Sequence, residues 1–358
     1  MPRLPPAICG VGDYACLLAR QLRQAHDIHT RFLVCDPSWK GTGDGTIDGF
    51  HVDQIREQTV RDLLGYLSSE ALPVTVLLHY VGYSYQKRGC PVWLVEGLKR
   101  WRREQSHRRL VTMFHELYAS GPIWSSAFWT RCLQRKLTTV VAGFSDCCLT
   151  NRMRSADELK RLTSRNAGFV GIFPVFSNFG ELIDPLPLPQ RPPQAIFFGG
   201  IGRSGGTRTQ ALASIQRACQ YLGVAQLISV GCVVESSELA PVTVKNHSIL
   251  EMAEASRLLS ASRVGFLDYY DGYLGKSGIF AAYASHGVAP VLLTPNSSGS
   301  DGLLAGRDFL VAGLLNCGVS PHQQQEIAAA AFGWYGSHNL ARTAEGFANR
   351  MLGPALIC

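Results

Sequence analysis

The chain has 358 residues, of which 46% are hydrophobic and 17% are charged, a composition typical of a well-packed globular protein. This length exceeds what one hydrophobic core usually reaches, so we expect two domains. The longest apolar runs are too short to span a bilayer, and the first residues lack the long apolar region of a secretory signal. We therefore expect neither membrane spans nor a secretory signal.

The formal net charge is +7, and the excess lies in the first half of the chain. Residues 1–183 carry 23 Lys and Arg against 16 Asp and Glu, whereas residues 184–358 carry 11 of each. The basic residues are densest at 99–103 and 107–109. A solvated helix face explains such a run, and attraction to an anionic membrane or an anionic acceptor is the alternative. No nucleic-acid-binding motif accompanies it, so nucleic acid is not an expected partner.

Eleven cysteines occur without any Cys-x-x-Cys spacing, and most of them lie inside apolar runs. Buried, reduced thiols therefore suit the pattern better than a disulfide or zinc framework. The sequence predicts a cytoplasmic protein, and the basic first half leaves peripheral contact with the inner face of a membrane open.

The first half begins with a glycine loop, residues 10–14, followed by a helix that starts near Tyr14 and a strand at 32–36. A parallel α/β domain normally has a strand before such a loop, yet only residues 1–4 are available for it. We infer either an unusually short first strand or a start codon assigned too late. A glycine-rich loop is expected at 41–50. The further predicted elements of this half are helices at 52–68, 92–105, 128–137 and 155–163, and strands at 74–80, 110–114, 138–142, 147–150 and 170–175.

His115 and Glu116 directly follow the predicted strand at 110–114. Ligands of open α/β sheets bind at the carboxyl ends of the strands, so these two side chains are candidate site residues. A histidine bonded to a loop carbonyl is the structural alternative for His115.

Five prolines occur among the ten residues 184–193, which predicts a stiff, extended connector between two domains. The resulting domains are 1–183 and 194–340, with a helix at 341–358 that closes the molecule.

The second half repeats the alternation of strands and helices, which implies a parallel sheet. A glycine loop at 199–206 separates its first strand from its first helix. The predicted strands are 194–198, 226–230, 264–267 and 289–293, and the predicted helices are 209–222, 248–260, 277–287, 321–331 and 340–352.

The segment between the strand at 264–267 and the following helix contains Gly275, Lys276, Ser277 and Gly278. A helix that starts near Ser277 presents free backbone N–H groups and a positive dipole end, while Lys276 adds a mobile positive charge. Gly275 and Gly278 allow a ligand to approach the backbone closely, which suits a diphosphate. A structural turn with a solvated lysine is the alternative.

Four segments, in this order and spacing, resemble the nucleotide-sugar glycosyltransferases of GT-B fold, and in detail their retaining, metal-independent family-four branch. They are the glycine loop at 6–14, the strand end at 114–118, the loop at 198–203 and the segment 271–291. The resemblance implies an α/β fold with two Rossmann-like domains, whose parallel sheets face a central cleft. It also implies transfer of a sugar from a nucleotide-diphosphate-sugar donor to a glycan or lipid-linked acceptor, without a metal or other cofactor.

The resemblance further implies residue roles. The catalytic candidates are His115, Arg203 and Lys276. The donor-binding candidates are Gly12, Gly200, Gly202, Arg203, Gly275, Lys276, Ser277 and Gly278. Asp13, Tyr14 and Glu116 are acceptor-binding candidates, and Asp13 could equally cap the first helix.

The chain departs from this family at three places. The family's paired donor-site glutamates, one of which binds ribose, fall on Leu274 and Ala282, and the usual lysine after the arginine is missing, with Arg208 as the nearest substitute. Two alternatives therefore stay open beside the transferase: a catalytically silent homologue that serves as a binding subunit, and a GT-B sugar-nucleotide epimerase.

Overall fold

The structure, a computed structural model, describes residues 1–41, 43–68, 75–105, 107–164, 169–202, 206–293 and 299–353, with Asp271 described by its backbone alone. The chain divides into two compact units. The first comprises Met1–Pro174 together with the segment from Leu340 onward, and the second comprises Val175–Asn339.

The proline-rich segment at 184–193 is packed onto the second unit, which differs from the expected free connector. Leu188 and Arg191 are buried, and the Arg191 guanidinium donates to the backbone oxygens of Ser262 at 2.8 Å and His286 at 2.9 Å. Upstream of it, the Val175 N–H donates to the Gly275 oxygen at 2.9 Å. The chain therefore joins the second unit at residue 175, ahead of the expected boundary.

The first unit contains a four-stranded parallel sheet in the order β4-β5-β6-β7 and a three-stranded sheet in the order β1-β3-β2. Helices pack on the four-stranded sheet around a core that includes Trp101, Leu110 and Phe114. The strands are β1 (Phe32–Val34), β2 (Thr46–Ile47), β3 (Phe50–Gln54), β4 (Thr75–Tyr80), β5 (Arg109–Phe114), β6 (Cys147–Thr150) and β7 (Val170–Ile172). The helices are α1 (Gly10–His26), α2 (Val60–Leu67), α3 (Gly82–Tyr85), α4 (Val92–Glu104), α5 (Ser126–Phe144), α6 (Met153–Thr163) and, from the far end of the chain, α11 (Leu340–Leu352).

Residues 41–68 differ from the predicted loop and long helix, because β2 and β3 form a hairpin there. Asp48 and Gly49 both have positive φ, at 52° and 75°, which is the backbone of a two-residue turn that favours an Asp-Gly pair. The helix starts only at Val60, after the N-cap Thr59.

The predicted strand at 138–142 is also wrong, because these residues continue α5. Its β-branched residues favour a strand locally. However, Gln134, Leu137, Thr138 and Val141 are buried at helical spacing against the core, and this packing decides the conformation.

Residues 1–4, where a short first strand was one prediction, form no strand, and the backbone of Met1 contacts β1. The Met1 amine donates to the Leu33 oxygen at 2.7 Å, and the Cys35 N–H donates to the Met1 oxygen at 2.8 Å. Met1 thus lies beside β1 through two backbone hydrogen bonds.

The second unit contains a six-stranded parallel sheet in the order β10-β9-β8-β11-β12-β13. Counted within this unit the order is 3-2-1-4-5-6, which is that of a Rossmann fold. Its strands are β8 (Gln194–Phe198), β9 (Gln226–Val230), β10 (Thr243–His247), β11 (Val264–Leu267), β12 (Ala289–Leu292) and β13 (Leu310–Val311). Its helices are α7 (Arg208–Leu222), α8 (Met252–Ala261), α9 (Gly278–Ser285) and α10 (Pro321–Gly336). The strand β10 was not predicted, and α8 starts four residues later than expected.

α9 lies directly against β8 and β11, the two strands between which the strand order reverses. The Tyr283 ring occupies the space above Gly265, where a Cβ would lie 2.6 Å from the ring, and its hydroxyl donates to the Phe266 oxygen at 2.7 Å. The glycine in β11 therefore allows the helix to pack closely, and this fixes the N-terminus of α9 relative to the sheet edge.

Within the described part of the chain, no helix is long and apolar enough to cross a membrane. The ten cysteines in this part are free thiols, and five of them are buried.

Candidate functional site

In the second unit, the loops that follow β8 and β11 are joined at the carboxyl edge of the sheet. The Gly202 N–H donates to Asp268 Oδ2 at 2.5 Å, and Asp268 is the first residue after β11. Gly202 has a φ of 88°, which a glycine adopts readily, and Asp268 is buried. Because β8 and β11 are adjacent strands whose crossovers run in opposite directions, this edge is the switch point where Rossmann-type sheets bind ligands.

The segment after Asp268 leads into α9 as the sequence predicts. A 3₁₀ helix covers Asp271–Lys276, and Ser277 is the N-cap of α9, its hydroxyl accepting from the Phe280 N–H at 3.2 Å. Lys276 therefore precedes the helix start, with its Nζ 5.3 Å from the centre of the Tyr273 ring. The predicted local geometry of Lys276, Ser277 and the helix start is confirmed.

The two glycines of this segment differ in what they offer a ligand. The Gly275 N–H donates to Asp301 Oδ2 at 3.2 Å, so it is already used within the protein. At Gly278, the first residue of α9, a Cβ would meet no heavy atom of the described residues within 4 Å. These residues therefore leave space beside the first turn of α9, where backbone N–H groups and the dipole favour an anion.

Two cations were predicted in and after the β8 loop, Arg203 and Arg208. Arg203 lies outside the described residues. Arg208, the nearest substitute for the family's lysine, forms an ion pair with Glu238 at 2.9 Å and donates to the Val233 oxygen at 3.0 Å. The hydrogen bond to Glu238 raises the pKa of Arg208 further. Its guanidinium is thus held within the unit.

The two positions of the family's glutamates are part of the core. Leu274 and Ala282 are buried, and Ala282 packs in the cluster that contains Phe280 and Tyr283. No carboxylate reaches the switch point from these positions. The loops instead carry Asp268 and Asp301, which both accept backbone N–H groups from the neighbouring loop segments. Gly200 lies in the loop that contains Gly202.

In the first unit, the predicted glycine loop is the first turn of α1 rather than a loop before it. Gly12 is buried in this turn, and a Cβ there would lie 2.7 Å from the Arg3 oxygen. Gly12 thus has a packing role against the segment at 3–4. The N-cap is Cys9, without a side-chain hydrogen bond, so Asp13 does not cap the helix. Its carboxyl is half-buried, and burial raises its pKa.

Tyr14, His79 and His115 form a compact cluster. His79 Nδ1 lies 3.0 Å from His115 Nε2, and the Tyr14 ring stands edge-on to both imidazoles, with ring centres 5.9 Å and 5.3 Å apart. The His115 N–H donates to the Tyr80 oxygen at 3.1 Å, which continues the pairing of β5 with β4. All three side chains are buried. The structure therefore brings together two predicted site residues and one that was not predicted.

Burial determines the charge of this cluster. It lowers the pKa of His79 well below its usual value, and the neighbouring His115 lowers it further. Burial likewise raises the pKa of the Tyr14 hydroxyl. At neutral pH the cluster therefore contains a neutral phenol and a neutral His79, which shares one hydrogen bond with His115. Glu116 follows with an exposed side chain at the end of the same strand.

His79 and Asp268 were missed, although a sequence signal exists for each. His79 is the second-last residue of the apolar strand β4, and Asp268 directly follows β11, the position that singled out His115 after β5. Among the described residues, no group of three or more His, Cys, Asp or Glu is arranged to hold a metal ion.

Comparison with known proteins identifies the fold. No family model and no curated protein matches the chain. Among solved structures, it is similar to the lipopolysaccharide outer core galactosyltransferase WaaB, with 11% identity, a TM-score of 0.60 and coverage of 98% of this chain and 97% of that one. A glycosyltransferase from Rickettsia africae gives 8% identity and a TM-score of 0.59 over 98% and 97% of the two chains. The UDP-GlcNAc 2-epimerase from Neisseria meningitidis, solved with UDP-GlcNAc, gives 11% identity and 0.51 over 96% of each. The chain has the GT-B fold of these proteins, and the predicted fold class is confirmed.

Proposed function

We propose that this protein is a glycosyltransferase that moves a sugar from a nucleotide-diphosphate-sugar donor to a glycan or lipid-linked acceptor. The observation that carries the proposal is the hydrogen bond from Gly202 to Asp268, which joins the two loops at the switch point of a Rossmann-ordered sheet. Donor binding by the second unit follows from that geometry, since ligands of such sheets bind at this edge. The similarity to nucleotide-sugar enzymes agrees with it.

The diphosphate is the part of the donor that the described residues suit best. Lys276 lies immediately before the helix α9, and the space at Gly278 is open beside the first turn of that helix. A helix N-terminus and a lysine together stabilise a doubly charged diphosphate without a metal ion. In this proposal Lys276, Ser277 and Gly278 bind the diphosphate, together with Gly200, Gly202 and Arg203 of the other loop.

The first unit supplies the acceptor-side residues in this proposal. They are Tyr14, Asp13 and Glu116, and the same unit supplies the catalytic candidate His115. The His79–His115–Tyr14 cluster is buried and has fixed hydrogen bonding, so it holds the His115 ring in one orientation. A preorganised polar group of this kind stabilises charge that develops on a bound sugar.

The proposed reaction keeps the configuration of the transferred sugar. The bond between the anomeric carbon and the diphosphate oxygen breaks, and the electron pair leaves with the diphosphate. The acceptor hydroxyl attacks the anomeric carbon from the same face, and its proton passes to the leaving diphosphate oxygen. The charge that builds on the diphosphate is stabilised by the groups named above, which makes the reaction metal-independent.

The catalytically silent homologue is the second candidate, and one observation favours it. The two positions at which the family carries donor-site glutamates are the buried Leu274 and Ala282. Ribose hydroxyls would then need another acceptor, and without one the protein would bind a nucleotide weakly or fail to bind it.

Calorimetric titration with UDP, GDP, ADP and their sugars tests the proposal directly. We expect one nucleotide to bind and Lys276→Ala to weaken it by about tenfold or more, as loss of a charged hydrogen bond does. Lys245→Ala is the matched control, since Lys245 is an exposed lysine of the same unit on the edge strand β10.

The outcomes separate the candidates. Binding of one nucleotide with turnover of its sugar supports the transferase and identifies the donor base. If no nucleotide binds, the donor site is wrongly assigned and the silent homologue is favoured. If Lys276→Ala and Lys245→Ala bind equally well, the diphosphate does not lie at α9. Release of an isomerised sugar nucleotide without an acceptor would instead indicate an epimerase.

A further inference from the structure

The largest concentration of exposed apolar side chains in the first unit lies at the start of α5. Trp124 and Trp129 are 84% and 74% exposed, and Ile123 is 62% exposed. Phe128 and Leu133 are also exposed. The other four tryptophans of the chain are buried or half-buried. Large apolar side chains that are exposed together within a short segment indicate an interaction surface.

The members of this set that lie on α5 form two neighbouring rows because of the helical spacing, and Ile123 and Trp124 directly precede the N-cap Ser125. Phe128, Cys132 and Lys136 lie one above the other at intervals of four residues, and Trp129 and Leu133 form the adjacent row. The Phe128 and Trp129 rings contact each other edge-on, with centres 5.4 Å apart. The opposite face of α5 is buried through residues such as Leu137 and Val141. We call residues 123, 124, 128, 129 and 133 the aromatic stripe.

Most of the charge beside the aromatic stripe is positive, and one acidic side chain of α6, Glu158, lies near it. Arg131, Arg135 and Lys136 lie on the exposed part of the same helix, and no Asp or Glu occurs between Glu116 and Asp146 in the sequence. Arg135 lies 3.7 Å from Glu158. Neither Arg131 nor Lys136 belongs to an ion pair among the residues that the structure describes. The surface is therefore apolar, aromatic and cationic, and an occupant of complementary chemistry is apolar and anionic.

A shallow depression adjoins the aromatic stripe and supports the same chemistry. It is lined by Cys132, Arg135, Lys136, Thr139 and Val140. Two cations at its wall, Arg135 and Lys136, lie about two helical turns beyond Trp129 and suit a phosphate group that lies above an apolar layer. This is the order of chemical groups that a phospholipid headgroup region presents.

We propose that the aromatic stripe docks the protein on the surface of an anionic phospholipid bilayer. Trp124 and Trp129 enter the headgroup region with Phe128 and Leu133, and Arg131, Arg135 and Lys136 contact lipid phosphates. Tryptophan favours this interface because its ring is apolar and its N–H is polar. The basic residues add attraction to anionic lipid. The proposal places the contact on α5, not on the basic run at 99–109, and it does not depend on the proposed function.

Vesicle sedimentation with the full chain tests the proposal. We expect the protein to sediment with vesicles of phosphatidylcholine and phosphatidylglycerol in roughly equal parts, and about tenfold less with pure phosphatidylcholine. Its tryptophan fluorescence should shift to shorter wavelength on binding. The double variant Trp124→Ser/Trp129→Ser should reduce binding to the anionic vesicles by about tenfold or more. Val92→Ser, an exposed apolar residue of α4, is the matched control and should bind normally.

A second pair of variants tests the location of the charge. Arg131→Gln/Lys136→Gln should weaken binding by about tenfold, and Lys99→Gln/Arg103→Gln should change it much less. If both double variants lose vesicle binding equally, the membrane contact is not on α5. So would the absence of binding to anionic vesicles, or a concentration-dependent dimer that the double tryptophan variant abolishes. Circular dichroism of each variant checks that the fold is kept.

Discussion

His79 Nδ1 lies 3.0 Å from His115 Nε2, although the two histidines are 36 residues apart in the sequence. The register of β4 against β5 produces this contact, because it pairs His79 with Met113 and Tyr80 with Phe114. His79 stays neutral, since burial lowers its pKa well below the usual value. The pair therefore engages Nε2 of His115 and restricts the orientation of its ring.

His79 should act as a positioning residue for His115 in the proposed transferase. We expect His79→Ala to lower kcat by about tenfold with little change in the KM for the donor, because the His115 ring loses its fixed orientation. His79→Gln keeps a hydrogen-bond donor and should recover part of the rate. Steady-state kinetics with the donor identified by calorimetry measures both effects. An unchanged kcat in His79→Ala would show that the histidine pair is only a packing element.

Gly12 should tolerate no side chain. A Cβ at this position would lie 2.7 Å from the Arg3 oxygen, so Gly12→Ala forces α1 away from the segment at 3–4. We expect a loss of about 1–3 kcal/mol in the free energy of unfolding, as overpacking usually costs. Gly10→Ala is the matched control in the same turn, since its Cβ would meet no heavy atom within 4 Å. Urea unfolding of both variants checks the prediction, which fails if they are equally stable.

The Asp268 carboxylate should stabilise the loop after β8. Asp268→Ala leaves the Gly202 N–H without its acceptor, and we expect a loss of about 1–3 kcal/mol in unfolding free energy. Asp268→Asn keeps an oxygen acceptor and should lose less. Nucleotide affinity should also fall more in Asp268→Ala than in Asp268→Asn, because the loop forms one side of the proposed donor site. If Asp268→Ala loses stability but keeps its nucleotide affinity, this loop does not take part in donor binding.

The second unit should become less stable in mild acid because of His338. Burial lowers the pKa of His338 from 6.5 to about 4. Above pH 6.5 the imidazole is neutral in both states, and between pH 6.5 and 4 the unfolded chain binds a proton that the folded chain does not. The unfolding free energy should therefore fall by about 2 kcal/mol between pH 6.5 and 5, and the loss should be complete below about pH 4.

Urea unfolding at a series of pH values measures this effect. His338→Phe should remove most of the acid sensitivity, since no proton is then taken up at this position. His322→Gln is the matched control, because His322 lies on the exposed side of the neighbouring helix α10. A pH dependence that is unchanged in His338→Phe would assign the acid sensitivity to other groups.

Local signals were sufficient for several parts of the candidate site. The apolar run 264–267 predicted β11, and the helix start was predicted near Ser277, where the structure shows the serine hydroxyl capping the N–H three residues ahead. The carboxyl end of β5 likewise singled out His115. These features depend on neighbours within a few residues, so the sequence contains the needed information.

Contacts between distant residues could not be predicted in this way. Gly202 and Asp268 are 66 residues apart, and their hydrogen bond depends on β8 and β11 being adjacent in the sheet. The segment 138–142 was predicted as a strand from its β-branched residues, but burial of Thr138 and Val141 against the core keeps it helical. In both cases long-range packing decides, and packing has no local signature.

The return of α11 to the first unit has a consequence for biosynthesis. Phe347 packs on Phe173, Arg109 donates to the Arg350 oxygen at 2.8 Å, and α11 packs on α1. As the nascent chain leaves the ribosome, Val175–Asn339 can fold as an uninterrupted segment, whereas the unit that begins first lacks α11 until the whole second unit has been synthesised. The earlier-synthesised unit is thus completed after the later one, and until then the surface of α1 that α11 covers stays exposed to solvent.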